Sequence, residues 1–277
     1  SLVFALINYS FNRYFTAPSG SVLHSRGTAE QMSMRLDHTV YRNQSDRWNL
    51  AASVTAKDSK SYLEDVFLAV SSRRLSILDL DSSYTTGFVG GVLTLDLGYA
   101  HGLKRFHALE DAENLPADAP KAQFEKWKFG LSYMLPFKAA GLDWVLNSAL
   151  VGQKAEDVLY GSEQISIGGI YTVRGFVKNT LAGEDGFYWR NDLSFRFPFK
   201  APGDISSTFR PYIALDHGYV KNRIDSVPDG SLSGMAVGFS LSVGKVSFDL
   251  FSAHPLRQPE FMRQEGNSTF LRLNLSL

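Results

Sequence analysis

The chain has 277 residues, no cysteine, and 28 basic against 28 acidic side chains. Balanced charge, with no basic run longer than Arg73-Arg74, argues against nucleic acid as a partner. The missing cysteines exclude disulfides and thiolate metal sites, and no stretch reaches the roughly 20 apolar residues of a membrane-spanning helix.

The first residues, Ser1-Leu-Val-Phe-Ala-Leu-Ile7, lack the basic flank of a signal peptide, and the chain is expected to begin inside a longer protein. From there the organising signal is alternation at period two, which places every second side chain on one face of a strand. Met32, Met34, Leu36 and Val40 alternate with Gln31, Ser33, Arg35, Asp37 and Thr39. Trp48, Leu50, Ala52 and Val54 follow, then Leu93, Leu95, Leu97 and Tyr99, then Trp127, Phe129, Leu131, Tyr133, Leu135 and Phe137. The pattern returns at Leu193, Phe195, Phe197 and Phe199, at Met235, Val237, Phe239, Leu241 and Val243, and at Leu271, Leu273, Leu275 and Leu277. Strands are predicted near 2–14, 28–42, 46–60, 64–81, 88–102, 123–137, 142–156, 187–199, 208–220, 232–243, 245–252 and 269–277. A phase change at Ser71-Ser72-Arg73-Arg74 predicts a bulge in the fourth.

Segments of about ten to fourteen residues exceed the five or six of an ordinary soluble strand and suit a tilted crossing of a bilayer. The faces opposite the apolar ones carry Arg35, Asp37, Asp96, Lys126, Lys128, Asp192, Arg196 and Asp216 among glycine and serine, as a water-filled lumen requires. Tyr14, Phe15, Tyr41, Trp48, Tyr62, Tyr84, Trp127, Phe137, Trp144, Phe187, Trp189 and Phe199 lie near predicted strand ends, where interfacial girdles sit. The fold class is therefore all-β, a transmembrane antiparallel β-barrel with the lipid bilayer as its surroundings. Asn43-Gln44-Ser45 and Lys138 to Gly141 read as short turns at one rim, and His101 to Lys121 and Asp157 to Asp185 as long links at the other. The link rich in Ala, Asp, Glu and Pro from Leu103 to Lys121 is expected to be an exposed surface loop. The second, from Gly161, carries too many apolar residues around one arginine for an exposed loop.

Gln164 to Phe176, with Ser166-Ile-Gly-Gly169 leading into Val173-Arg174-Gly175-Phe176, resembles the lumen-inserted loop of outer-membrane proteins that secrete or insert other proteins. The continuation Leu181-Ala-Gly-Glu-Asp-Gly186 and Arg190-Asn-Asp-Leu193 is similar to the two-partner secretion branch, the TpsB transporters. The resemblance implies passage of a large unfolded exoprotein, a TpsA-like adhesin, haemolysin or toxin, from periplasm to cell surface across the Gram-negative outer membrane. It also implies insertion by the barrel-assembly machinery and no cofactor. Members have an amino-terminal helix, two POTRA domains and a sixteen-stranded barrel. Residues 1–277 are then the carboxyl-terminal barrel portion, with the helix, the POTRA domains and the first strands expected to precede them. Such barrels usually end in an aromatic residue, where this chain has Leu277.

Arginine offers a planar fork of donors suited to a carboxylate, Gly175 permits a tight turn beside the wall, and Phe176 can wedge against it. Alternation puts Arg210, Tyr212, Ala214, Asp216 and Gly218 on the lumen face. The residues alone leave two readings open, Arg174 paired with Asp216 or Arg174 solvated. The resemblance selects pairing, because Asp216-His217-Gly218 matches the family's Asp-x-Gly element on the strand that meets the loop. The six histidines are scattered without metal-ligand spacing, and no Gly-x-Ser-x-Gly elbow occurs, so neither catalysis nor a metal is expected. The alternatives are a barrel-assembly-type insertase and a passive porin.

Overall fold

The computed structural model describes residues 3–16, 25–68 and 72–275. Ser71, Leu277 and the side chains of Tyr14 and Phe15, named above, lie outside the described residues. Among the described residues all regular structure is strand: β1 (Val3–Thr16), β2 (Ser25–Arg42), β3 (Arg47–Leu63), β4 (Val66–Phe67), β5 (Arg73–Phe88), β6 (Gly91–Gly102), β7 (Glu125–Ala139), β8 (Leu142–Ala155), β9 (Ile165–Ile167), β10 (Leu181–Gly183), β11 (Asp185–Ala201), β12 (Ile205–Lys221), β13 (Gly230–Val243), β14 (Val246–Arg257) and β15 (Ser268–Leu275).

One 13-stranded sheet runs in the order β1-β2-β3-β5-β6-β7-β8-β11-β12-β13-β14-β15, with β4 attached to β3. Sequence neighbours pair antiparallel, as in Ile7↔Met34 and Asp216↔Gly234. The long strands follow the period-two segments, with one correction. The predicted strand 64–81 is broken, because Glu64 and Asp65 (φ 46° and 67°) turn the chain back so that Phe67 pairs with Tyr62. The bulge expected at Ser71-Ser72-Arg73-Arg74 falls partly on Ser71, outside the described residues, and β5 starts at Arg73. The strand register shifts between Thr39 and Tyr41 and between Ser233 and Gly234.

Links alternate in length along the chain. Among the described residues, those at 43–46, 89–90, 140–141, 202–204 and 244–245 are short, and those at 103–124, 156–184, 222–229 and 258–267 are long. Paired positive φ at Val89-Gly90 (42° and 78°) and Ala140-Gly141 (51° and 75°) gives the two-residue hairpin turn whose twist matches the strands. A β-branched residue resists that conformation. At Val89 the turn is clamped by the Tyr133 hydroxyl, which donates to the Phe88 and Val89 carbonyls, each at 3.1 Å.

The strands bury polar faces and expose apolar ones. On β12, Ile213 and Leu215 are 54% and 58% exposed while Ala214 and Asp216 are 3% and 4% exposed. Met32, Met34 and Leu36 on β2, Leu95 and Leu97 on β6 and Leu271, Leu273 and Leu275 on β15 are likewise exposed. An apolar surface of this extent is stable only against hydrocarbon. The aromatics Tyr41, Trp48, Tyr84, Trp127, Phe137, Trp189 and Phe199 are exposed on the strands.

Two compact units divide the chain. The first comprises the strands as far as Tyr84 with residues 96–128 and 155–160. Its inward face carries Arg35, which donates to Asp37 and Asp81 at 3.0 Å, and Lys128, 2.7 Å from Asp79 and 3.2 Å from Asp81. Ile77, Ala100, Phe124, Ala155 and Leu159 form its small buried core. The second unit, 85–95, 129–154 and 161 onward, holds residues 161–184 of the loop between β8 and β11 and two buried clusters.

Candidate functional site

Loop residues 161–184 fold against the inward face of β11 to β14. Their base is the pairing of β9 with β10, Ile167 opposite Leu181 and Ile165 opposite Gly183. Polar bonds fix this base to the wall. The buried Glu184 accepts from Gln164 Nε2 at 2.6 Å and from the Arg223 N–H at 3.0 Å, and Gln153 Nε2 donates to the Glu163 and Glu184 carbonyls, both at 3.0 Å. Buried polar groups need such partners or they cost stability.

Gly168 and Gly169, both at φ 105°, turn the chain toward the tip, and Thr172 Oγ1 closes the turn on the Gly168 carbonyl at 3.0 Å. Val173 and Phe176 then enter a buried cluster with Ile167, Leu181, Val220 and Leu232. Between them Arg174 points at the wall. Its Nε and Nη2 donate to the two oxygens of Asp216, both at 2.6 Å, and its own backbone N–H adds a third bond to Asp216 at 3.0 Å. Nη1 donates to Asp192 at 2.6 Å. The Arg174 and Asp216 side chains are 5% and 0% exposed. Burial by itself would lower the arginine pKa, but the hydrogen bonds to Asp216 and then Asp192 outweigh it and raise it above the ordinary value. The anchor is a permanent cation on a bidentate carboxylate.

The wall is shaped to receive this tip. A methyl on Gly218 would stand 3.0 Å from Val173 Cγ2 and 3.1 Å from Ile167 Cγ2. On Gly234, the register partner of Asp216, it would overlap the Arg174 carbonyl oxygen. Gly175, at φ 100°, lies so close to β14 that a methyl there would come within 2.7 Å of the His254 carbonyl carbon. Beside the tip is a polar cavity of about 320 Å³, lined in part by Arg190, Asp192, Arg210, Tyr212 and Asp249. Its floor is tied together, since Tyr212 and Ser240 donate to Asp249 at 3.1 and 2.8 Å. Arg190 donates to the Tyr171 carbonyl at 2.8 Å and stands 3.9 Å from Asp216.

Val173, Arg174, Gly175 and Phe176 thus meet Asp216 and Gly218 in one place. Sequence reasoning counted Asp192 as an inward charge but missed it as the second carboxylate of Arg174. It also missed Gly234 and the Gln164, Gln153 and Glu184 set. A signal existed for Gly234, which shares the polar face of β13 with Ala236 and Gly238. The Glu184 set carries no such signal, because its three members come from three separate segments. Among the described residues no three His, Asp or Glu side chains gather as a metal site.

An antiparallel sheet with an oily outer face, a polar inner face and an inward loop pinned by a buried arginine defines a transmembrane strand protein with a loop folded into its lumen. The profile of the haemolysin secretion/activation protein family ShlB/FhaC/HecB matches residues 3–241, and the chain belongs to that family. It is 32% identical over 268 residues to the outer membrane transporter CdiB of Escherichia coli O6:K15:H31 (strain 536 / UPEC), covering 96% of this chain and 44% of that protein. It is 28% identical to the hemolysin transporter protein ShlB of Serratia marcescens, covering 83% of this chain and 40% of that one. Among solved structures, CdiB from Escherichia coli matches with a TM-score of 0.91 at 29% identity, over 99% of this chain and 50% of that chain. The chain spans less than half the length of these curated relatives.

Proposed function

We propose that residues 1–277 are the pore portion of a two-partner secretion transporter in the Gram-negative outer membrane. It passes a large unfolded exoprotein from periplasm to cell surface and takes no part in enzymatic chemistry. In the same proposal the residues form the carboxyl-terminal part of a sixteen-stranded barrel completed by segments outside this chain, and the short links face the periplasm. The relatives' names support the transporter reading. The observation that carries the mechanism is Arg174, buried in the inward-folded loop with both Nε and Nη2 on Asp216.

Loop 161–184 is the plug. While Arg174 holds Asp216 and Asp192, apolar Val173 and Phe176 are kept out of water and the bore stays narrow. An extended client needs the bore, so the plug must shift or be displaced. Directionality requires no hydrolysis, because a client that folds outside cannot slide back. The test is secretion and single-channel conductance of the complete transporter carrying Asp216→Arg. Loss of secretion with larger conductance is expected, and unaltered values for both would defeat the proposal.

A further inference from the structure

Beyond Phe176 the inserted loop makes a turn whose amides are collected by a distant carboxylate. Glu265 Oε1 accepts from the Val177 and Lys178 N–H groups at 2.5 and 2.7 Å, and Oε2 accepts from the Asn179 N–H at 3.1 Å. Three successive amides aimed at one carboxylate form a concave anion seat, and bonds to an ionised acceptor are stronger than neutral ones. Glu265 belongs to the link 258–267 between β14 and β15, and that link is built to present it. Gln258 Nε2 donates to the Arg263 carbonyl at 3.0 Å, and Gln258 Oε1 accepts from the Glu265 N–H at 3.3 Å. Asn179 Nδ2 returns a bond to the Arg263 carbonyl at 2.7 Å. Met262 packs on the cluster that holds Val173 and Phe176.

We infer that Glu265 is a second positioning anchor of the loop, supplied by a link at the long-link rim and separate from the Arg174 anchor in the wall. The inference rests on reading 161–184 as a plug. The two anchors differ in how they can let go. Arg174 cannot leave Asp216 without stranding a buried charge, which is expensive. Glu265 is half-buried and its amide partners at 177 and 178 are exposed, so water replaces these bonds at small cost. Release of the loop therefore begins at Glu265, at the rim from which the link projects, and any cation or amide-rich segment arriving there competes for the carboxylate.

The test uses the complete transporter in planar bilayers, with heat-modifiable gel migration reporting that each variant is folded. Glu265→Ala is expected to raise the frequency of large openings about tenfold, and Glu265→Gln by less because its carbonyl oxygen still accepts. This chain has no cysteine, so Lys178→Cys with Glu265→Cys can be joined by a short bis-thiosulfonate linker. Linking should suppress the openings and secretion, and dithiothreitol should restore both. If Glu265→Ala does not fold, the glutamine variant and the linked pair carry the test. Openings enhanced by Asp216→Arg but unmoved by Glu265→Ala and by linking would overturn the second anchor alone. Openings unmoved by both Asp216→Arg and Glu265→Ala would overturn the plug itself.

Discussion

The two long links 103–124 and 161–184 make opposite choices. The first bonds partly within itself and partly to β5 and to the residues after β8. Asp111 accepts from the Ala122 and Gln123 N–H groups at 2.8 Å, Gln123 answers with bonds to the Asp111 N–H and the Leu109 carbonyl, and Lys121 reaches Asp157 at 2.6 Å. Of its apolar members Phe106 and Leu109 remain exposed, and Ala122 and Phe124, where it rejoins the sheet, are buried. The second link takes its decisive partners from strands far along the chain and buries Ile167, Val173, Phe176 and Leu181. Length does not separate them. What differs is an apolar set large enough to form a cluster, one arginine with two carboxylates waiting, and glycines in the wall where the backbone arrives.

The largest effect should come from Asp216→Arg. Removing one partner from a buried pair costs about 3–5 kcal/mol, and here a like charge would replace it. Residues 161–184 should leave their seat and behave like the first link, open to protease, with secretion lost. Exchanging the charges through Arg174→Asp combined with Asp216→Arg should restore part of the protection. Protection unchanged in the single variant would break the contrast. Phe176→Ala comes next, at about 3 kcal/mol for emptying a closed site, read as faster cleavage within the link while the strands stay intact.

The contrast also marks what was legible in the sequence. Period two in β2, β7 and β13 is a local property, so strand identity and facing could be read directly. The polar side of β12 put Asp216 and Gly218 in view for the same reason. The return at Glu64-Asp65 was hidden, because neither residue carries the glycine signal of a two-residue turn and Val66-Phe67 continues an apolar pattern. Asp192 was visible as an inward charge, but its partner depends on where a tip 18 residues upstream comes to rest. Glu265 was the least legible: an acidic residue in a polar link, whose partners are backbone amides that leave no mark in side-chain composition.

A finer test lies in the wall glycines. Overpacking costs about 1–3 kcal/mol where nothing can yield. Gly234→Ala, whose methyl would overlap the Arg174 carbonyl, should loosen the inserted link more than Gly218→Ala, whose methyl meets the side chains of Val173 and Ile167 at 3.0 and 3.1 Å. Gly87→Ala, with nothing within 4 Å, should leave it unchanged. Equal protease sensitivity for all three would mean that backbone approach at β13 is not what seats the tip.

The smallest effect belongs to the other side of the comparison. Asp111→Ala removes two bonds from backbone N–H groups to a half-buried carboxylate, where water screens each below the roughly 1.5–3 kcal/mol of a buried charged hydrogen bond. The loss is confined to 103–124, whose ends are still fixed by the bonds of Leu103 N–H to the Ser76 carbonyl and Gly102 N–H to the Phe124 carbonyl. Cleavage within that link should rise a few-fold, while protection of 161–184, conductance and secretion stay at their original values. A fall in secretion would show that the first link does more than cover the ends of its strands.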